Sequence, residues 1–274
     1  MKKHLFTVSR GDPERLSALL SSRGIAIDLI ASGAVRVNGQ RVLDDAPLVV
    51  GAKITVFEAP IETAAQIQVQ FRDEWLLVVE KPAGLPTQAT PTSSHALDAL
   101  VFASLAKDAK LMHRLDREAS GLVLFAPSAP AAPALQKLLE NGAIHRRYVA
   151  RVAGTVAGEG TIRLRIGRHP TDVRLRQALS ETATEGQAAT SYYKVITNET
   201  SSTLVSLTLE SGRTHQLRVH LAAIGHPIWG DRAYGGPAAD RLHLHSTELS
   251  LPHPSHRRPV VVESPSPFLT SEPR

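Results

Sequence analysis

The apolar positions fall into short blocks whose period changes along the chain. In "GDPERLSALLSSR", Leu16, Leu19 and Leu20 share one helical face, with Asp12 as candidate N-cap and Pro13 at the first helical position. "IAIDLIASG" is a second short helical pattern, stopped by Gly33. "AVRVNGQRVL" then alternates apolar and polar residues around Asn38-Gly39, a strong hairpin signal, and "AKITVFEAP" supplies a closing strand that ends at Pro60. Residues 61–68 read as a linker, with a strand-rich region opening near Ile67. "WLLVVEKPAGLPTQ" is a buried strand running into a Pro/Gly loop. Residues 95–107 and 129–141 carry helical patterns, the second with Ser128 as cap and Pro130 in its first turn. "RRYVARVAG", "TSYYKVI" and "STLVSLTLE" read as strands, and "THQLRVHLAAIG" as a helix ended by Gly225. Beyond Pro252, prolines and serines interrupt any period, which predicts a packed strand and then a frayed tail.

These blocks do not alternate as βαβ units and show no internal repeat, so the pattern predicts an α+β fold. It divides into a small N-terminal unit over 1–60, a large unit over 66–265 and a tail over 266–274. A length of 274 residues, 42% hydrophobic and 21% charged, suits one large domain and a small one. No cysteine is present, which excludes disulfides, thiolate catalysis and cysteine-bound zinc. No stretch is long and apolar enough to span a membrane, and "MKKHLFTVSRGDPERL" lacks a signal-peptide core, so a cytoplasmic protein is expected. The net charge of +5 rests mainly on arginine, whose planar fork suits phosphates and bases, and favours a polyanionic partner.

The segment "LMHRLDREASGLVLFA" sets Asp116 between Arg114 and Arg117, ahead of a small-residue break and an apolar run. Taken alone, Asp116 reads as a loop or capping acid, and Tyr148 as a half-buried strand residue. Arg213 and Arg218, five apart on a predicted helix, read as a solvated pair worth about 0–1 kcal/mol. Lys81, before Pro82, reads as structural. Histidines pair at 215/220, 243/245 and 253/256, but none has the HExxH form and no acidic cluster adjoins them, so no metal is expected. Glycine-rich phosphate loops are also missing.

Together the blocks carry a resemblance. "HRLDREASG" is similar to the HRLDxxTSG signature of the RluA-type pseudouridine synthases. "KPAG", "RRYVARVAG", "SGRTHQLRVHL", "GHPIWGDRAYG" and "RLHLHSTEL" follow in that family's order, spanning roughly residues 70–255. The chain departs from the signature at Ala119, where Thr is usual, and at Pro127, where Lys is common. The resemblance implies isomerisation of uridine to pseudouridine in RNA without metal or organic cofactor, on a mixed, largely antiparallel sheet crossed by a cleft. It implies Asp116 as the catalytic carboxylate, acting at the sugar or the base, in a pocket that excludes water. A buried carboxylate stays charged only beside a cation, and Arg218 matches the family arginine that pairs with the acid. Tyr148 matches the tyrosine that stacks on the target base and is suspected of taking the carbon 5 proton. Arg114 matches the arginine that fills the gap left by the flipped nucleotide, and Arg213 and His215 fall among the expected RNA contacts.

The N-terminal unit resembles the ribosomal S-four type of RNA-binding domain, through "SR", "LIASGAVRVNG" and a glycine turn at Gly51. Residues 10–60 hold as many acidic as basic side chains, so RNA contact there would fall to Arg23, Arg36 and Arg41 on one side. Ribosomal RNA is the expected partner, with transfer RNA the second, and a monomer is the default. The competing expectations are a catalytically silent RNA-binding protein in ribosome assembly and a metal-dependent hydrolase built on the histidine pairs.

Overall fold

The computed structural model describes residues 2–25, 27–31, 34–42, 44–58, 67–89 and 96–268. The N-terminal elements are β1 (Lys2–Thr7), α1 (Leu16–Ser22), α2 (Asp28–Ala31), β2 (Val35–Val37), β3 (Gln40–Val42) and β4 (Lys53–Glu58). Their strands form one sheet in the order β1-β4-β2-β3. Asn38 (φ 50°) and Gly39 (φ 82°) make the hairpin tip, since this turn needs positive φ at both positions. Leu16, Leu19 and Leu20 are fully buried and pack with Ile54 and Val56 of β4.

Asp12 does not cap α1. The helix starts at Leu16 with Arg15 in the capping position, and the acid that serves it is Asp45, which accepts the Ser17 N–H at 2.7 Å and Arg15 Nε at 2.9 Å. Asp12 instead accepts the Ser9 N–H at 2.8 Å and pairs with Arg23 at 3.1 Å. The expected stop at Gly33, the strand end at Pro60 and linker residues 61–66 lie outside the described residues.

The remaining elements are β5 (Gln68–Arg72), β6 (Leu77–Lys81), α3 (Leu97–Ser104), β7 (Lys110–Leu111), β8 (Ser120–Ala126), α4 (Ala131–Glu140) and β9 (His145–Ala153). They continue with β10 (Glu159–Arg168), β11 (Arg176–Leu179), β12 (Gln187–Asn198), β13 (Ser202–Leu209), α5 (Gln216–Ala223), β14 (Leu244–Pro252) and β15 (Pro259–Glu263). The strands form an 11-stranded sheet in the order β11-β10-β12-β13-β9-β14-β8-β6-β5, with β15 on β14 and β7 on β8. Its pairings are antiparallel except β8 with β14, so the fold is α+β on a mixed, largely antiparallel sheet.

Alternation along the central strands sorts the core into two layers. Leu77 and Val79 of β6 and Val123 and Phe125 of β8 face α3 and α5, together with Leu97, Val101, Leu217 and Leu221. Leu122 and Leu124 of β8 face α4 with Leu135 and Leu138. Strand β8 is therefore buried on both sides, and the loop before it is anchored to a fully buried strand.

Some local expectations shift. Pro130, not Ser128, sits at the N-cap of α4, and no side chain caps that helix. Helix α5 ends as its sequence indicates, with Gly225 at φ 84°. Residues 266–268 do not fray: Phe268 is buried, its carbonyl accepts Arg151 Nη2 at 3.0 Å, and its ring stacks on His243. The side-chain and ring contacts that hold it there are invisible in a Pro/Ser-rich stretch.

Gly121 explains the small-residue break. It has φ 109° where β8 pairs with β14, and a Cβ there would lie 2.3 Å from the Ser246 carbonyl oxygen. Gly121→Ala is expected to cost about 2–3 kcal/mol, because both the backbone conformation and the strand contact resist a side chain. Thermal unfolding would show this as a melting temperature roughly 5–10 °C lower; an unchanged value would contradict the close approach.

Candidate active site

Asp116 lies in the loop between β7 and β8, and that loop is strapped to the segment after β6. The Thr87 hydroxyl donates to the Leu115 carbonyl at 2.6 Å and accepts the Leu115 N–H at 3.1 Å. Gly84 N–H donates to the Arg117 carbonyl at 2.8 Å, and Arg117 Nε returns a bond to the Gly84 carbonyl at 3.0 Å. Lys81 is fully buried, and its Nζ donates to the carbonyls of Pro82 (2.8 Å), Leu85 (2.8 Å) and Arg117 (3.0 Å). Three acceptors match the three donors of an ammonium. Burial pulls the Lys81 pKa down to about 7, opposed by the charges of Asp116 and Glu118. Its structural reading from sequence agrees with this geometry.

Helix α5 brings the cation. All of residues 216–221 are buried, with Leu217 and Leu221 in the core and Gln216 and His220 hydrogen-bonded to Ser191 of β12. His215 precedes the helix at φ 57°, and Gln216 Oε1 accepts the Arg213 N–H at 3.0 Å, which closes the turn. Arg218 therefore enters the site on a rigid support. Its Nε and Nη2 bind Asp231 Oδ2 and Oδ1 at 2.8 Å each, while Nη1 faces Asp116 Oδ2 at 3.4 Å and Glu118 at 3.8 Å. The guanidinium also lies 5.1 Å over the Tyr234 ring, and the Tyr234 hydroxyl meets His215 Nδ1 at 2.7 Å. Burial alone would lower the Arg218 pKa, but the hydrogen bonds and charge of Asp231, with Asp116 and Glu118, hold it above its ordinary value.

Asp116 opens onto a cleft of about 620 Å³ whose walls include Thr87, Arg114, Arg146, Gly212 and Arg213. Below it a pocket of about 60 Å³ brings Asp116 together with Arg114, Arg146, Tyr148, Arg213 and His215. Tyr148, on β9, is 4% exposed, and burial raises the pKa of its hydroxyl, with Arg146 acting the other way and Asp116 adding to the rise. It rests as a neutral phenol.

Five of the residues singled out in the large unit thus line one pocket, and Arg218 contacts Asp116 from the buried side. Arg213 is not on the helix but in the loop before it, and Arg218 is a buried ion-pair partner rather than a solvated one. The N-terminal arginines fare differently. Arg36 is 5% exposed with its guanidinium 5.9 Å over Phe57, so it offers no open face to a polyanion. Arg23 stays partly exposed beside Asp12 and Phe6, and the Arg41 side chain lies outside the described residues.

Sequence reasoning missed Asp231, Arg146 and Thr87. Arg146 carries a signal, since it stands two residues before Tyr148 on a strand and so shares its face. Asp231 has none beyond its place in "GHPIWGDRAYG". Among the described residues, no three His, Asp or Glu side chains converge as metal ligands. His245 is committed to Ser120 at 2.7 Å and Ser264 at 3.0 Å, and burial pulls its pKa down to about 4.

The model of the family described as RNA pseudouridylate synthase matches residues 75–223, over half of the chain. A ribosomal large subunit pseudouridine synthase D of Nitrosomonas europaea is 35% identical over 221 residues, which cover 74% of this chain and 63% of that protein. The protein of the same name from Xylella fastidiosa is 33% identical over 276 residues, covering 90% of this chain and 82% of the relative. The solved human RNA Pseudouridylate Synthase Domain Containing 1 shares the fold at a TM-score of 0.66 and 25% identity, over 78% of this chain and 88% of that one. The chain belongs to the RNA pseudouridylate synthase family and is an isomerase that converts uridine to pseudouridine in RNA.

Asp231→Asn is expected to destabilise the protein by about 2–4 kcal/mol, because it removes the buried charge that binds two guanidinium nitrogens and leaves only the more distant Asp116 and Glu118. Chemical denaturation checks this, and a free energy of unfolding equal to that of the unsubstituted protein would contradict the pairing.

Proposed function

We propose that the chain isomerises uridine in large-subunit ribosomal RNA, with Asp116 as the carboxylate that starts the reaction. The observation that carries this reading is the position of Asp116. It stands at the mouth of an arginine-walled cleft, its Oδ2 turned to Arg218, while its Oδ1 makes no hydrogen bond among the described residues. The large-subunit names of the two bacterial relatives support ribosomal RNA as the substrate class.

In this reading the target nucleotide leaves the stack and enters the cleft, and Arg114, exposed at the rim, fills the vacated place. Flipping costs a few kcal/mol, which an inserted side chain offsets. Asp116 then acts on the bound nucleoside. The bond from the ribose carbon to nitrogen 1 breaks, the base turns, and carbon 5 bonds to the ribose carbon. Carbon 5 gives up its proton to a base, and nitrogen 1 takes up a proton, so that product and substrate are isomers. The steps balance without oxidant, reductant or added water, so the buried pocket serves to keep water out. In the same reading the Tyr148 ring, in the wall of the inner pocket, stacks on the base, and Arg146 and Arg213 hold the flanking phosphates.

The N-terminal elements are read as an S-four-like RNA-binding module, supported by the order of two short helices and a hairpin, with Arg23 as its described basic contact. A monomeric, cytoplasmic enzyme belongs to the same reading.

The test is tritium release from transcripts carrying tritium at carbon 5 of uridine, with ribosomal and transfer RNA assayed separately. The unsubstituted enzyme is expected to release tritium from large-subunit RNA, and Asp116→Ala to release none while still binding that RNA. Full release by Asp116→Ala would sink the assignment, and loss of binding along with turnover would count against a purely chemical role.

A further inference from the structure

Strands β10 and β11 end in a register that places Arg168 directly opposite Arg176. Like charges facing each other across a strand pair destabilise it, unless an anion lies between them. Both side chains line a second cleft of about 560 Å³, together with Arg213 and one acid, Glu185. Arg168 makes no side-chain hydrogen bond or ion pair among the described residues. Arg176 is oriented in advance: its Nη1 donates to the carbonyls of Val173 (3.1 Å) and Leu175 (2.7 Å), and its N–H to the Tyr234 hydroxyl at 3.0 Å. The wall beyond is fixed by Arg165, which donates to the carbonyls of Glu185 (2.7 Å) and Gly186 (2.8 Å).

Arg213 and Thr214 line this cleft and the Asp116 cleft alike, so the two are neighbours along one surface. A strand of RNA with its target nucleotide at Asp116 can therefore continue past Arg213 toward Arg168 and Arg176. We propose that the β10–β11 arginines form a phosphate-binding subsite for the RNA backbone flanking the target uridine. This inference rests on the pseudouridine synthase reading above and adds the path of the substrate beyond the catalytic cleft. Such contacts fix register and orientation without reading sequence.

The test compares the unsubstituted enzyme with Arg168→Gln, Arg168→Lys and the double variant Arg168→Gln/Arg176→Gln. Tritium-release kinetics on transcribed large-subunit ribosomal RNA are measured with the anisotropy of a labelled fragment of that RNA over a range of salt. Each lost arginine contact is expected to lower the slope of log affinity against log salt by about 0.7–0.9. The loss should fall on KM rather than kcat, and Arg168→Lys should keep the slope. A folded double variant with the unsubstituted slope and KM would overturn the subsite. Because Arg176 also braces two carbonyls, Arg168→Gln alone decides the matter if the double variant unfolds. Failure of the unsubstituted enzyme to release tritium would remove the underlying reaction; release with an unchanged slope would remove only the subsite.

Discussion

Arg218 gives two guanidinium nitrogens to the buried Asp231 and turns the third toward Asp116. The shares are unequal, and the rest of the site follows from that. Two short, parallel contacts at 2.8 Å lock the fork in one plane, so its position does not depend on Asp116. Asp116 therefore meets a cation already in place, and its Oδ1 makes no hydrogen bond among the described residues. In the proposed reaction, a bidentate pair between Asp116 and Arg218 would tie the acid down at the moment it acts. The Arg218–Asp231 pair is buried, which keeps that contact out of solvent, where salt would screen it.

The acid needs equal constraint on its own side. Its loop is attached to the segment after β6 by Thr87, Gly84 and Lys81, and to the sheet by the close contact of Gly121 with β14. Ala119 is buried in the core, and Thr87 supplies a hydroxyl to the same loop from the facing segment. A site held this way is organised before substrate arrives, which is the condition for electrostatic catalysis.

What could be read from the sequence were features whose cause is local. The Asn38-Gly39 hairpin, the apolar run of β6, the strand pattern of β9 and the glycine that ends α5 each depend on a few adjacent residues. Asp116, Tyr148 and Arg218 were legible only because the ordered blocks resemble a known family; as isolated residues they look ordinary. Features set by distant partners stayed hidden. Asp45 caps a helix that begins 29 positions before it, Asp231 anchors an arginine on another element, and β1 exists because β4 pairs with it. Arg36 misled for the same reason, since nothing near it in sequence reveals the Phe57 ring that covers it.

The most direct test of the shared-guanidinium account is single-turnover tritium release by Arg218→Lys with saturating large-subunit ribosomal RNA. Lysine keeps the charge but has no fork to hold Asp231 and face Asp116 together. The account predicts a rate at least tenfold lower with RNA affinity retained, about 1.4 kcal/mol of lost transition-state stabilisation. A rate equal to that of the unsubstituted enzyme would show that charge alone suffices and would contradict the account.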